Sequence, residues 1–139
     1  MIASLERRQI QVIEPIWKML WSNKAILAVL WELFPNHPNL LETRLGDRGA
    51  LRSFAKKPIM SREGANVTLV RDGSVIATVD GDYGDDGYVY QELAIAQTDE
   101  VYPVIGAWVV DGEPAGMGIR ESDTPITGNL ARFVPHRLI

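Results

Sequence analysis

Cysteine is absent from the 139 residues, which removes disulfide staples, a thiol nucleophile and any cysteine-based zinc site. Positive charge is also scarce. Lys and Arg number 14 against 18 Asp and Glu, a net charge of −4 and a pI near 5.1, so no basic face for a nucleic-acid backbone is expected. Only two histidines occur, His37 and His136, each beside a proline and far apart in sequence. No serine sits in a G-x-S-x-G setting, so a nucleophile–histidine–acid arrangement finds no footing. These histidines read as surface or capping groups. Long apolar runs are missing too: Met19 to Phe34 is the greasiest stretch, and Asn23, Lys24 and Glu32 interrupt it. A membrane span needs ~20 predominantly apolar residues. Glu6, Arg7 and Arg8 stand where a signal peptide would carry its apolar core. The expectation is a cytoplasmic protein with no membrane and no nucleic-acid partner.

What remains is ordinary for a globular chain: 46% hydrophobic and 23% charged residues, in a length suited to one domain. The pattern changes near residue 45. Before it, Gln9 to Ile13 reads as a short strand and Glu14-Pro15 opens a helix, Pro being tolerated at a first helical position. Ser22 and Asn23 break that helix as capping residues, and a second runs from Lys24 to Phe34 and stops at Pro35. Only Glu32 is polar in the body of the second helix, so burial on every side is expected, more comfortably inside a larger assembly.

Asn36 to Arg52 reads as a polar connection with one helical turn near Leu40-Leu41. Thereafter the period is two. Strands are predicted at Phe54–Met60, Val67–Val70, Val75–Val79, Tyr88–Leu93, Val104–Val110 and Pro114–Ile119. Asp72-Gly73 and Asp111-Gly112 join two pairs of them as short hairpins. The tail from Asp123 is mixed, with Pro125 and Pro135 limiting regular structure. The fold class is α+β, N-terminal helices followed by antiparallel β-hairpins.

Four features carry possible chemistry. Asp80 to Gly87 is rich in Asp and Gly. A twelve-residue calcium loop wants Gly sixth and Glu twelfth; counted from Asp80 those places hold Asp85 and Gln91, so the segment reads as an acidic loop. A second feature runs from Lys56-Lys57-Pro58 to Ser61-Arg62-Glu63-Gly64-Ala65-Asn66. A lysine near a strand end can pair with phosphate oxygens while loop N–H groups approach a phosphate, although a charged β-turn has the same composition. Lys24 is the third. A lysine in a first helical turn faces the positive end of the helix dipole, which suits either a solvated side chain or a bound anion. Arg120, ending a strand, can clamp a phosphate or pair with a surface acid such as Glu121.

Taken together, Val12-Ile13-Glu14-Pro15, Ser22-Asn23-Lys24-Ala25-Ile26-Leu27, Leu30-Trp31, Leu33-Phe34-Pro35-Asn36-His37, Lys57-Pro58-Ile59, Arg62 to Asn66, Tyr90-Gln91 and Gly118-Ile119-Arg120 resemble the C-terminal synthetase region of the glutathionylspermidine synthase family. Arg62 to Asn66 and Arg132 to His136 look closer to its shorter, synthetase-like members. The resemblance implies an ATP-grasp fold, partial here, with residues 1–139 as the C-terminal portion of the domain. It implies an ATP-dependent carbon–nitrogen ligase that phosphorylates a glutathione-like acid and joins it to a polyamine-like amine. By the same resemblance, Lys24 and Lys57 contact ATP and the loop Ser61, Arg62, Glu63, Gly64, Ala65 and Asn66 covers its phosphates. Tyr90, Gln91, Glu92 and Leu93 form the hinge at the adenine, where Gln91 offers its amide to the base. Arg120 lies at the transferring phosphoryl group. Family members are far longer, so the Mg²⁺ ligands are expected upstream of this region, in a missing N-terminal portion. The alternative expectation is a non-catalytic remnant that self-associates through exposed apolar surface.

Overall fold

The computed structural model describes residues 15–137. The expected strand at Gln9–Ile13 lies outside them. A 3-10 helix, Ile16–Ser22, opens the described chain, where the residues around Pro15 predicted an ordinary helix. Its Trp17 and Trp21 rings meet edge to face at 6.4 Å. Asn23 then ends it as expected: its Oδ1 accepts the Ala25 N–H at 2.9 Å, supplying one of the partners that a helix start lacks. Helix α1, Ala25–Leu33, follows and closes with the Phe34 N–H donating to the Leu30 carbonyl.

Burial of α1 on every side is not what the structure shows. Only Ala28 is buried, while Val29, Leu33 and the following Phe34 are more than half exposed. Among the described elements the helix rests against β1 (Thr43–Leu45) and β5 (Tyr88–Glu92). Strand β1 falls in the segment expected to be an irregular connection. Its three residues are too few to display an alternating pattern, and the edge of the sheet creates it.

The remaining strands, apart from β8, fall within or overlap the predicted strand segments. They are β2 (Phe54–Pro58), β3 (Thr68–Arg71), β4 (Ser74–Thr78), β6 (Tyr102–Val110), β7 (Glu113–Ser122) and β8 (Arg132–Val134). They form two antiparallel sheets, ordered β1-β5-β2-β3-β4 and β6-β7-β8. Strand β8 was hidden in the mixed tail, where Pro135 follows it directly. Both Asp-Gly hairpins are present. Asp72 and Gly73 have φ of 49° and 82°, and Asp111 and Gly112 have 51° and 83°, the double positive φ that lets a two-residue turn match strand twist.

Register sets the faces of the five-stranded sheet. Thr43, Gln91, Ala55, Leu69 and Ala77 stand opposite one another across the strands, and Lys57 lies two residues along β2 from Ala55, on the same face. This face carries the core of Ala55, Val67, Leu69 and Ile126, with Leu93 and Ile95 packed against it. The opposite face holds Phe54 against Tyr90 and the Lys56 ammonium over the Tyr88 ring at 4.1 Å. The segment that carries Ile126 crosses the core face after β7 and so ties the second part of the chain to the first.

Candidate functional site: a lysine-lined cleft

The core face is not fully filled. Between β2, the end of β5 and the segment Pro125–Thr127 lies a cleft of about 230 Å³. Leu41, Ala55, Val67, Leu69, Leu93, Ile95 and Ile126 make its apolar walls. Lys57, Gln91, Glu92 and the chain at Gly64 supply the polar ones. A largely apolar hollow with a few convergent polar groups is the general form of a small-molecule site.

Lys57 is placed there by strand alternation: Lys56 goes to the opposite face with Tyr88, so Lys57 goes to the cleft. Its Nζ donates to Gln91 Oε1 at 2.7 Å. Burial holds the ammonium below the usual 10.5, and the charge of Lys24 lowers it further. Lys24 itself, at the N-cap of α1, does not reach freely into solvent. Its backbone N–H donates to the Ile59 carbonyl, and its Nζ donates to the Ser61 carbonyl at 3.0 Å and to Ser61 Oγ at 3.1 Å. Partial burial lowers its pKa also. Helix start, strand end and loop are thereby joined. Among the described residues neither lysine meets a carboxylate: the ion pairs there are Arg44–Glu42 and Arg132–Asp123. A partly buried ammonium beside a second cation, with no described carboxylate paired to either, is a place that can stabilise an anion.

The loop Ser61–Asn66 is held by its backbone shape. Glu63, Gly64 and Asn66 have φ of 59°, 77° and 54°. At Gly64 the close neighbours are protein: a Cβ there would meet Ile126 Cγ2 at 2.7 Å and the Thr127 carbonyl at 3.1 Å. Glu63 accepts a hydrogen bond from the Asn129 side chain, which fixes the same junction. Asn66 binds in the other direction. Its Nδ2 donates to the Gly81 carbonyl and its Oδ1 accepts the Tyr83 N–H, both at 2.7 Å, so it orders the acidic loop. Arg62 is exposed.

The structure therefore brings Lys24, Lys57, Ser61, Gly64, Gln91, Glu92 and Leu93 to one region. Tyr90 points to the other face, where its ring meets Phe54, and only its backbone faces this region. Gln91 differs from the sequence expectation. Its amide carbonyl is taken by Lys57 and its Nε2 donates to Thr43 Oγ1 at 3.1 Å, so the group is turned along the sheet and not offered to a base edge. Arg120 is not brought to the lysines. It lies in β7, its guanidinium 5.9 Å from the Phe133 ring, and lines a separate hollow with Val104, Trp108 and Gly118. Sequence reasoning missed Leu41, Thr43 and Pro125 to Thr127. The last three sit in a proline-containing tail with no periodic signal, and only the chain crossing makes them neighbours of Gly64. His37 is a surface group, one of the two roles expected of it, and its Nδ1 accepts the Asn39 N–H at 3.2 Å.

Comparison with known proteins agrees with the sequence resemblance. A family model described as glutathionylspermidine synthase preATP-grasp matches residues 1–139. A putative acid–amine ligase of Haemophilus influenzae is 44% identical over 140 residues, covering 91% of this chain and 35% of that protein. A trypanothione synthetase of Crithidia fasciculata is 39% identical, covering 90% of this chain and 20% of the relative. A bifunctional glutathionylspermidine synthetase/amidase of Escherichia coli is 33% identical, with 89% and 21% covered. The chain spans about a third or less of the length of these relatives. With the whole chain under the family model, the protein belongs to the glutathionylspermidine synthase family.

Proposed function

We propose that this chain supplies one wall of the nucleotide site of an ATP-dependent acid–amine ligase, arranged in the ATP-grasp manner. The observation that carries the reading is Lys57, partly buried in the cleft wall and lowered in basicity by that burial and by the charge of Lys24, with no carboxylate paired to either lysine among the described residues. In this reading the base lies against Leu93, Ile95 and Ile126. Backbone groups of Glu92 to Ala94 face its edge, and the β- and γ-phosphates approach the two ammonium groups. The Ser61–Asn66 loop covers the phosphates with its N–H groups. A cleft of about 230 Å³ is smaller than the ~300–1,000 Å³ of complete small-molecule sites, which suits a wall shared with another part of a longer protein.

The reaction class follows from the relatives, which are ligases and synthetases by name. A carboxylate of a glutathione-like acid attacks the γ-phosphorus and ADP leaves. The amine of a polyamine-like partner then attacks the acyl carbon, phosphate departs, and the amine loses a proton. The lysines favour this by holding negative charge in place before it is redistributed. Arg120, expected at the transferring phosphoryl group, lines a separate hollow with Phe133 and has no step in this scheme. Among the described residues no group of three His, Cys, Asp or Glu side chains is suited to a metal ion, so no step is routed through Mg²⁺ here. No helix among them is long and apolar enough to cross a membrane.

Calorimetric titration of ADP or ATP into the chain tests the reading. Binding that is lost in Lys57→Ala supports it, and absence of heat at millimolar nucleotide overturns it. A second reading is favoured by the exposed Trp17, Leu20, Trp21, Val29, Leu33 and Phe34: a non-catalytic chain that associates through this apolar surface. Sedimentation separates the two, since a nucleotide-blind oligomer fits only the second.

A further inference from the structure

We infer that Thr43 is a positioning residue for the Lys57 ammonium, acting through the Gln91 amide. The inference rests on the nucleotide reading of the cleft and adds a residue that touches no ligand in it. Thr43 stands opposite Gln91 in the β1–β5 register and is only 2% exposed, so no bulk water competes for its hydroxyl. That hydroxyl has one proton, and it donates to the Leu41 carbonyl at 3.0 Å. Towards Gln91 it therefore presents lone pairs alone. Gln91 meets them with Nε2 at 3.1 Å, which turns Oε1 to Lys57 at 2.7 Å. Rotating the amide by half a turn would set an NH₂ group against an ammonium and an oxygen against an oxygen, losing both hydrogen bonds. The direction of the relay is thus set at its far end, by the backbone of the edge strand.

The acceptor at position 91 is neutral, and that matters for an anion site. A carboxylate there would fix the lysine but also neutralise it. The amide fixes one of the three ammonium protons and leaves the charge, with two further donors, for a phosphate. Lys24 cannot hold Lys57 in this way, since its own charge repels it. Preorganisation of a flexible lysine reduces the side-chain entropy lost when the ligand arrives, so the effect falls on affinity.

The test is ADP affinity, by calorimetry on the full chain, for the parent, Thr43→Val, Thr43→Ser, Gln91→Ala and the Thr43→Val/Gln91→Ala double variant. Thr43→Val keeps the shape and removes the hydroxyl, and it is expected to weaken binding roughly three- to tenfold, the value of one hydrogen bond. Thr43→Ser should restore affinity to within about twofold of the parent. In the Gln91→Ala background Thr43→Val should cause no further loss, because the relay is already cut. Parent-like affinity in Thr43→Val, no rescue by serine, or an undiminished effect in the double variant would each overturn the inference. A thermal melt identifies any variant that has not folded, and Thr43→Ala then replaces Thr43→Val. The Gln91 side-chain amide signals in NMR, assigned by their loss in Gln91→Ala, give a reading without nucleotide. Faster solvent exchange of those protons in Thr43→Val supports the relay, and unchanged exchange refutes it. If the parent binds no ADP, the nucleotide reading falls, and these signals still decide whether Thr43 orients the amide.

Discussion

Replacing Gly64 by alanine probes the junction on which the cleft depends. Two costs apply there. The residue has φ +77°, a region where a side chain carries a penalty of roughly 1–2 kcal/mol. The added Cβ would also lie 2.7 Å from Ile126 Cγ2 and 3.1 Å from the Thr127 carbonyl, so the crossing segment must move. Overpacking of this kind costs typically about 1–3 kcal/mol. Gly73 provides the control, because its φ is +82° and nothing lies within 4 Å of its Cβ position. Gly73→Ala should therefore lose about 1–2 kcal/mol and Gly64→Ala about 2–5 kcal/mol. The pair is measured by urea unfolding, with the slope compared to detect a change in compactness. Equal losses at the two glycines would refute the packing of Pro125–Thr127 against the loop, and with it one wall of the cleft.

Two other consequences follow. Lys57 has a folded-state pKa below its unfolded value of 10.5, so the unfolded chain binds more protons and stability rises as pH climbs through the folded pKa toward 10.5. The stability of the parent relative to Lys57→Met should accordingly increase from neutral pH to that limit, and a difference that stays flat or falls would contradict burial of the charge. Asn66→Ala removes two hydrogen bonds to the acidic loop. Hydrogen exchange at the Tyr83 amide should then quicken by roughly tenfold, the loss of about one net hydrogen bond, with unchanged exchange as the refuting result.

Much of the site was legible because strand alternation is a strict rule. Once β2 was recognised, Lys56 and Lys57 had to face opposite ways, and the apolar run after Gln91 had to continue along the core. Lys24 was legible as an anomaly, a cation at a helix start, and its contact with Ser61 gives that placement a reason. What escaped was non-local. Thr43 belongs to a three-residue strand that exists only because β5 pairs with it, so no period marks it. Ile126 and Thr127 reach the cleft through a chain crossing, and the clue was the glycine they press upon, not their own neighbourhood. The family resemblance alone placed the Gln91 amide at a base edge. Its real partners, Thr43 and Lys57, come from strands on either side of it. The apolar helix was read as buried because its composition is uniform, yet among the described elements it rests against β1 and β5 and only its Ala28 is buried.

The central claim is that nucleotide lies between Lys57 and the Gln91–Ile95 strand end. Amide chemical shifts of the chain titrated with ADP test this most directly. Changes are expected to concentrate at Lys57, Gly64, Leu93, Ile95 and Ile126, with the Val75–Val79 and Val109–Glu113 regions unmoved. Changes confined to the β6–β7 hairpin, or none at millimolar ADP, would contradict it.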